Sequence, residues 1–205
     1  DEWMRLNHPG VPFARYADDI IVHCRTEAQA QFMLRVIGIR LARCKLQLHP
    51  EKTKIVYCKD ARRPGNYKHE SFDFLGYCFR PRGCKGRSYF LGFTPAVSKS
   101  AIKSMSATLR GWKLHLWSSS EIADIARRIN PVVRGWLNYY GRYYKSALRP
   151  MLHQLQNALV RWAMRKYKKL RDHWLKATHW LGRIARREPR LFASWEFGSR
   201  PSTGQ

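Results

Sequence analysis

Two adjacent carboxylates, Asp18 and Asp19, stand between the runs Phe13-Ala14-Arg15-Tyr16-Ala17 and Ile20-Ile21-Val22-His23-Cys24. Apolar, β-branched and aromatic residues on either side of a short acidic break predict a strand, a tight turn and a second strand. Neighbouring carboxylates repel, and a cation held between them relieves the repulsion. Oxygen-only ligation suits a hard ion such as Mg²⁺, which keeps waters and substrate phosphates as its other ligands. The same dipeptide is also ordinary hairpin turn chemistry, so its meaning depends on what accompanies it.

Its surroundings are strongly cationic. The 205 residues carry a formal charge of +25 and are 44% apolar, enough for one large or two small cores. Such a charge favours a polyanionic partner, nucleic acid before an anionic membrane surface. Residues 1–95 hold 17 Lys/Arg against 9 Asp/Glu, net +8, and residues 96–205 hold 22 against 5, net +17. The second half is therefore the stronger polyanion binder. The five cysteines show no Cys-x-x-Cys spacing, which argues for reduced core thiols and against a zinc site. No run reaches the roughly 18 apolar residues of a membrane span, and no signal peptide opens the chain. With Asp1 first and Trp3 and Leu6 close behind, the sequence reads as a piece of a longer protein.

The elements that must position these groups follow from periodicity. Thr26 to Leu46 predicts a helix with Thr26 as N-cap and Ala28, Phe32, Val36, Ile39 and Ala42 on its inner face. Residues 50–57 predict a turn feeding a strand. Residues 59–71 predict a loop, 72–79 a strand, and 83–93 a hairpin closed by Pro95. From Ser98 the period becomes helical, with Ile102, Met105, Leu109, Trp112 and Leu116 as one stripe. Ser118 with Glu121 predicts a short capped helix, and Asn130-Pro131 the cap and first residue of the next. Two further helices follow, around Leu152–Trp162 and Trp174–Leu181. This predicts an α+β fold in three parts: residues 1–95 as a sheet domain with a helix, 96–197 as a helical bundle, and 198–205 as a disordered tail.

Basic residues form rows on the predicted helices. Lys99, Lys103 and Arg110 lie off the apolar stripe of the first, and Arg134, Asn138, Arg142, Lys145 and Arg149 recur at steps of three or four. Arg161, Arg165, Lys168 and Lys169 do the same on the next. Rows without interspersed acid cost a few tenths of a kcal/mol per like-charged pair, which a phosphate backbone would offset; a single row is also what a solvated face looks like. Tyr139, Tyr143 and His153 lie near these rows, where the tyrosines either stack on unpaired bases or pack inside.

Taken in order, four stretches resemble the C-terminal part of a group II intron-encoded reverse transcriptase with its maturase region. They are Tyr16-Ala17-Asp18-Asp19, Leu48-His49-Pro50-Glu51-Lys52-Thr53-Lys54, Phe74-Leu75-Gly76-Tyr77 and Asn130-Pro131-Val132-Val133-Arg134-Gly135-Trp136-Leu137-Asn138-Tyr139-Tyr140. The resemblance implies an incomplete antiparallel reverse-transcriptase palm sheet followed by an all-α thumb and maturase-specific bundle. It further implies RNA-templated DNA synthesis with Mg²⁺, and as partners intron RNA, a template–primer duplex and deoxynucleoside triphosphates. Asp18 would be the principal metal ligand and Asp19 its support. Lys52 would meet the outgoing phosphates, or be an exposed turn lysine. The family draws another carboxylate from an upstream strand, and Asp1 and Glu2 lie too close to Asp18 to supply it, so this chain alone is expected to lack polymerase activity. A non-catalytic RNA-binding maturase is the alternative. The expected compartment is the bacterial cytoplasm, with nucleic acid as the anchor, or an organelle.

Overall fold

The computed structural model describes residues 1–86 and 88–204. The order is α1 (Glu2–Asn7), β1 (Phe13–Tyr16), β2 (Asp19–Val22), α2 (Glu27–Arg43), β3 (Phe72–Phe74), β4 (Tyr77–Lys85), β5 (Tyr89–Val97), α3 (Lys99–Gly111), α4 (Ile122–Tyr140), α5 (Arg149–Lys166), α6 (Trp174–Arg187) and α7 (Ala193–Glu196). The fold is mixed α+β. It divides into two units, Asp1–Phe74 with Arg80–Phe93, and Leu75–Phe79 with Thr94–Gln205. The sequence reading sets its boundary at Pro95; here the division crosses β4 and β5 and gives residues 75–79 to the second unit.

In the first unit, β1 and β2 pair antiparallel as a separate two-stranded sheet, with Phe13 opposite Val22 and Tyr16 opposite Asp19. α2 starts where expected, Thr26 accepting a hydrogen bond from the Gln29 amide at 3.1 Å. Its inner face is different from the expected one. Met33 is 2% exposed, whereas Phe32 and Ile39 are 47% and 57% exposed. Two apolar stripes run along this helix, and periodicity alone does not say which is covered. The expected strand over residues 50–57 is irregular, because its backbone bonds go to turns and to His69 rather than to a neighbouring strand. Among the described residues, Met4 and Met33 are the only hydrophobic side chains that this unit buries.

The expected single strand over residues 72–79 is a turn between β3 and β4. Leu75 and Gly76 both take positive φ, 51° and 74°, as the tight turn that suits antiparallel strands requires.

The second unit holds the large core: Met105 and Leu109 of α3, Ile125, Ile129, Val133 and Leu137 of α4, Met151, Leu155, Leu159 and Trp162 of α5, and Leu181 of α6. The expected break at Asn130-Pro131 is absent, and α4 runs through it as one helix capped at Glu121. Proline inside a helix costs about 3 kcal/mol, yet four buried side chains on one stripe return roughly 1.5–3 kcal/mol each. Burial wins. Asn130 is no cap; its amide nitrogen donates to the Leu191 carbonyl at 2.8 Å and its oxygen accepts from the Ala193 amide at 2.9 Å, holding the segment that buries Phe192 and Trp195.

The tail expected to be disordered makes specific contacts: Ser199 and Arg200 bond back to Ser194 and Trp195 of α7, and residues 202–204 lie against α6. Pro201 is buried, Arg186 donates to the Thr203 hydroxyl at 2.8 Å, and a Cβ on Gly182 would meet the Ser202 carbonyl at 2.2 Å. A glycine in α6 is what lets the backbone cross so closely. Gln205 lies outside the described residues. The cysteines are free and none is fully buried; Cys44 is exposed.

Candidate functional site

The β1–β2 loop consists of Ala17 and Asp18 alone. Ala17 takes φ 52°, a conformation that costs an L-residue with a Cβ about 1–2 kcal/mol and that concentrates at functional turns. Arg15 steadies it, donating to the Ala17 carbonyl at 2.8 Å and to both carboxylate oxygens of Asp1 at 2.7 and 3.0 Å. Asp1 is thereby neutralised by the guanidinium that also holds the tip, and Glu2 pairs with Arg5. Asp18 and Asp19 are exposed, and the side chain of neither has a hydrogen bond or ion pair with another described residue. Two free carboxylates at a strained tip can serve as oxygen ligands for a divalent ion. Among the described residues no three His, Cys, Asp or Glu side chains gather into a metal-holding group. Lys52 is exposed in the turn that follows His49, and no hydrogen bond or ion pair among the described residues links it to the acids.

The basic residues of the second unit are distributed differently from the predicted rows. Lys99, Lys103 and Arg110 share an exposed face of α3. The row from Arg134 to Arg149 is broken: α4 ends at Tyr140, so Arg134 and Asn138 are on α4, Arg142 is in the turn, Lys145 opens a single 3₁₀ turn and Arg149 begins α5. Gly141 follows that end, where a Cβ would lie 2.3 Å from the Leu137 carbonyl and 2.8 Å from the Phe197 ring. Arg134 lies 4.0 Å from Glu196, and the Lys145 ammonium stands 5.4 Å from the Phe197 ring centre. Arg161 and Arg165 are exposed on α5, and Lys168 and Lys169 on the following 3₁₀ turn.

Tyr139 has a role the sequence did not indicate. Its hydroxyl donates to the Leu75 carbonyl at 2.9 Å, and the Tyr77 hydroxyl donates in return to the Tyr139 carbonyl. The rings of Tyr139, Tyr140 and Tyr143 surround Tyr77 at 5.3, 5.4 and 5.6 Å. The Phe-Leu-Gly-Tyr and Asn-Tyr-Tyr stretches are thus two halves of one packing unit. The signal available was Gly76 at the second position of a two-residue turn. Burial, and then the neighbouring Tyr139, push the Tyr77 phenol above its ordinary value of 10.0, and burial does the same to Tyr140. A phenol whose folded value is raised contributes stability that is complete below pH 10 and is lost as pH climbs through the higher folded value. Urea midpoints of the wild type should therefore fall above pH 10, and Tyr77→Phe should flatten that fall; an unchanged alkaline slope would refute the assignment.

Residues 102–180 match the family model for the group II intron, maturase-specific domain, and residues 1–79 the model for reverse transcriptase (RNA-dependent DNA polymerase). Together the two matches support a fragment of a group II intron reverse transcriptase and maturase. No curated protein matches it. The Asp18-Asp19 tip falls within the reverse-transcriptase match, and the Tyr139–Tyr143 cluster and most of the basic residues of the second unit fall within the maturase match. The first match implies nucleotidyl transfer of a kind that uses a divalent metal, and the two together imply intron RNA and nucleic acid as partners. Among the described residues, no helix is long and apolar enough to cross a membrane.

Proposed function

We propose that the first unit carries the metal-holding turn of an RNA-directed DNA polymerase and that the second unit binds intron RNA in splicing and mobility. The observation that carries the polymerase reading is the free, exposed Asp18–Asp19 pair at a strained tip, inside the residues that match reverse transcriptase. Asp18 is assigned as principal ligand of Mg²⁺ and Asp19 as its support. Bound there, a divalent ion would supply charge neutralisation at the reacting phosphate. Lys52 is assigned to the outgoing phosphates of a deoxynucleoside triphosphate. With only two acids at the tip, the 205-residue chain by itself is assigned no polymerase turnover.

RNA binding without chemistry is a reading the second unit favours independently, because residues 96–205 carry net +17 and match the maturase domain for most of their helices. Arg134, Arg142 and Arg149 test it. Reversing all three to Glu should weaken binding of intron RNA at least tenfold at moderate salt and reduce the steepness of its salt dependence. Affinity and slope equal to the wild type would remove these side chains from the interface.

A further inference from the structure

The sequence places Arg110 and Arg161 in separate rows, but the fold brings both to one cavity. Its volume is about 150 Å³, and its lining includes Leu109, Arg110, Lys113, Leu114 and Arg161. Resting on the RNA-binding reading of the second unit, we propose that this cavity seats a single internucleotide phosphate of the bound RNA.

Three elements build it. The last turn of α3 carries Leu109 and Arg110, and Lys113 turns the chain with φ 49° into the single 3₁₀ turn Leu114–Leu116. α5 supplies Gln154, Ala158 and Arg161 from the other side. Leu109 and Leu114, 3% and 2% exposed, make its apolar floor, and the cationic side chains of Arg110, Lys113 and Arg161 are exposed at its rim. No acid lines the cavity. The side chains of Arg110, Lys113, His115 and Arg161 have no hydrogen bond or ion pair with another described residue. Three permanent positive charges lining one cavity without a counter-ion repel one another, and an anion seated among them reverses the sign of that contribution. The space is well below the roughly 300 Å³ at which pockets begin to hold whole small molecules, so it suits one tetrahedral phosphate rather than a nucleotide. Guanidinium groups from two helices match phosphate oxygens in charge and geometry. The cavity lies within residues 102–180, the maturase-domain match.

The test is a salt titration of a labelled single-stranded RNA on the full chain, comparing wild type with a triple Arg110→Gln, Lys113→Gln, Arg161→Gln variant. Three side chains on one phosphate predict that the log–log slope shrinks by about 0.7, the value for one phosphate of a single strand, with a loss of about tenfold in affinity near physiological salt. Arg171→Gln, Lys176→Gln, Arg190→Gln, matched in charge and exposed outside the cavity, should retain the slope. A slope reduced by about 2, as three independent phosphate contacts would give, overturns the proposal, as does an unchanged slope. If the triple variant loses its helical signal, Arg161→Lys and Arg161→Gln decide: the lysine must bind more tightly, and equal loss overturns it. Wild type that binds no RNA at any salt overturns the underlying reading first, which a null result confined to the triple variant does not.

Discussion

Asp18→Asn is expected to lower Mg²⁺-dependent primer extension by about a thousandfold wherever this hairpin works beside a third carboxylate, while RNA affinity stays within about twofold. Asparagine has nearly the shape of aspartate, so the two-residue turn, the positive φ of Ala17 and the Arg15 bond to its carbonyl should persist. The negative charge that holds the metal is what is lost. Asp19→Asn should cost less, because Asp19 closes the hairpin opposite Tyr16 and is assigned a supporting role. Affinity should hardly move, since removing one acid from a chain of net +25 leaves its attraction for polyanions intact. Extension by Asp18→Asn within tenfold of wild type would end the metal assignment. The same assay on the unsubstituted 205-residue chain should yield no product, and product abolished by Asp18→Ala would show that two acids suffice.

Gly76→Ala and Gly135→Ala should move stability in opposite directions. At Gly76 the backbone has φ 74°, and an added Cβ would lie 2.5 Å from the Tyr140 hydroxyl. The left-handed conformation costs a side chain about 1–2 kcal/mol, and displacing Tyr140 loosens the ring cluster around Tyr77, so a destabilisation of roughly 2–3 kcal/mol is expected. Gly135 sits inside α4 with nothing within 4 Å of where an added Cβ would stand, so alanine should stabilise by about 1 kcal/mol through helix propensity. Urea unfolding followed by tryptophan fluorescence reads this unit, because Trp3 is the one tryptophan of eight outside it. Equal midpoints for the two variants would contradict both arguments.

Gly111 and Gly135, in the two Arg-Gly-Trp stretches, read as points of close helix packing. Both face open space, and the contact is instead a stack of Trp112 on Trp136 at 5.9 Å and 13°. The acidic hairpin, the Thr26 cap, the helical second half and the order of the four motifs were legible because each is fixed within a few neighbouring residues. What was not legible depended on distance along the chain. Asn130 looks like a cap until residues 191–193 arrive to bond it, and the break expected at Pro131 yields to a core assembled from four helices. The basic row from Arg134 to Arg149 assumed one helix, but α4 ends at Tyr140, and the Phe197 ring that packs beside Gly141 comes from 56 residues further along the chain. Arg110 and Arg161 share a cavity for the same reason, since no local pattern links them.

The contrast in burial has a consequence for how the acidic turn works. With only Met4 and Met33 enclosed among the described residues of the first unit, opening that unit uncovers little apolar area, and small free-energy gaps separate its closed and opened forms. Asp18 and Asp19 are therefore mounted on a pliant support, and the rigidity that phosphoryl chemistry demands must be conferred on them by whatever they engage, whereas the tryptophan-rich helices keep their shape on their own.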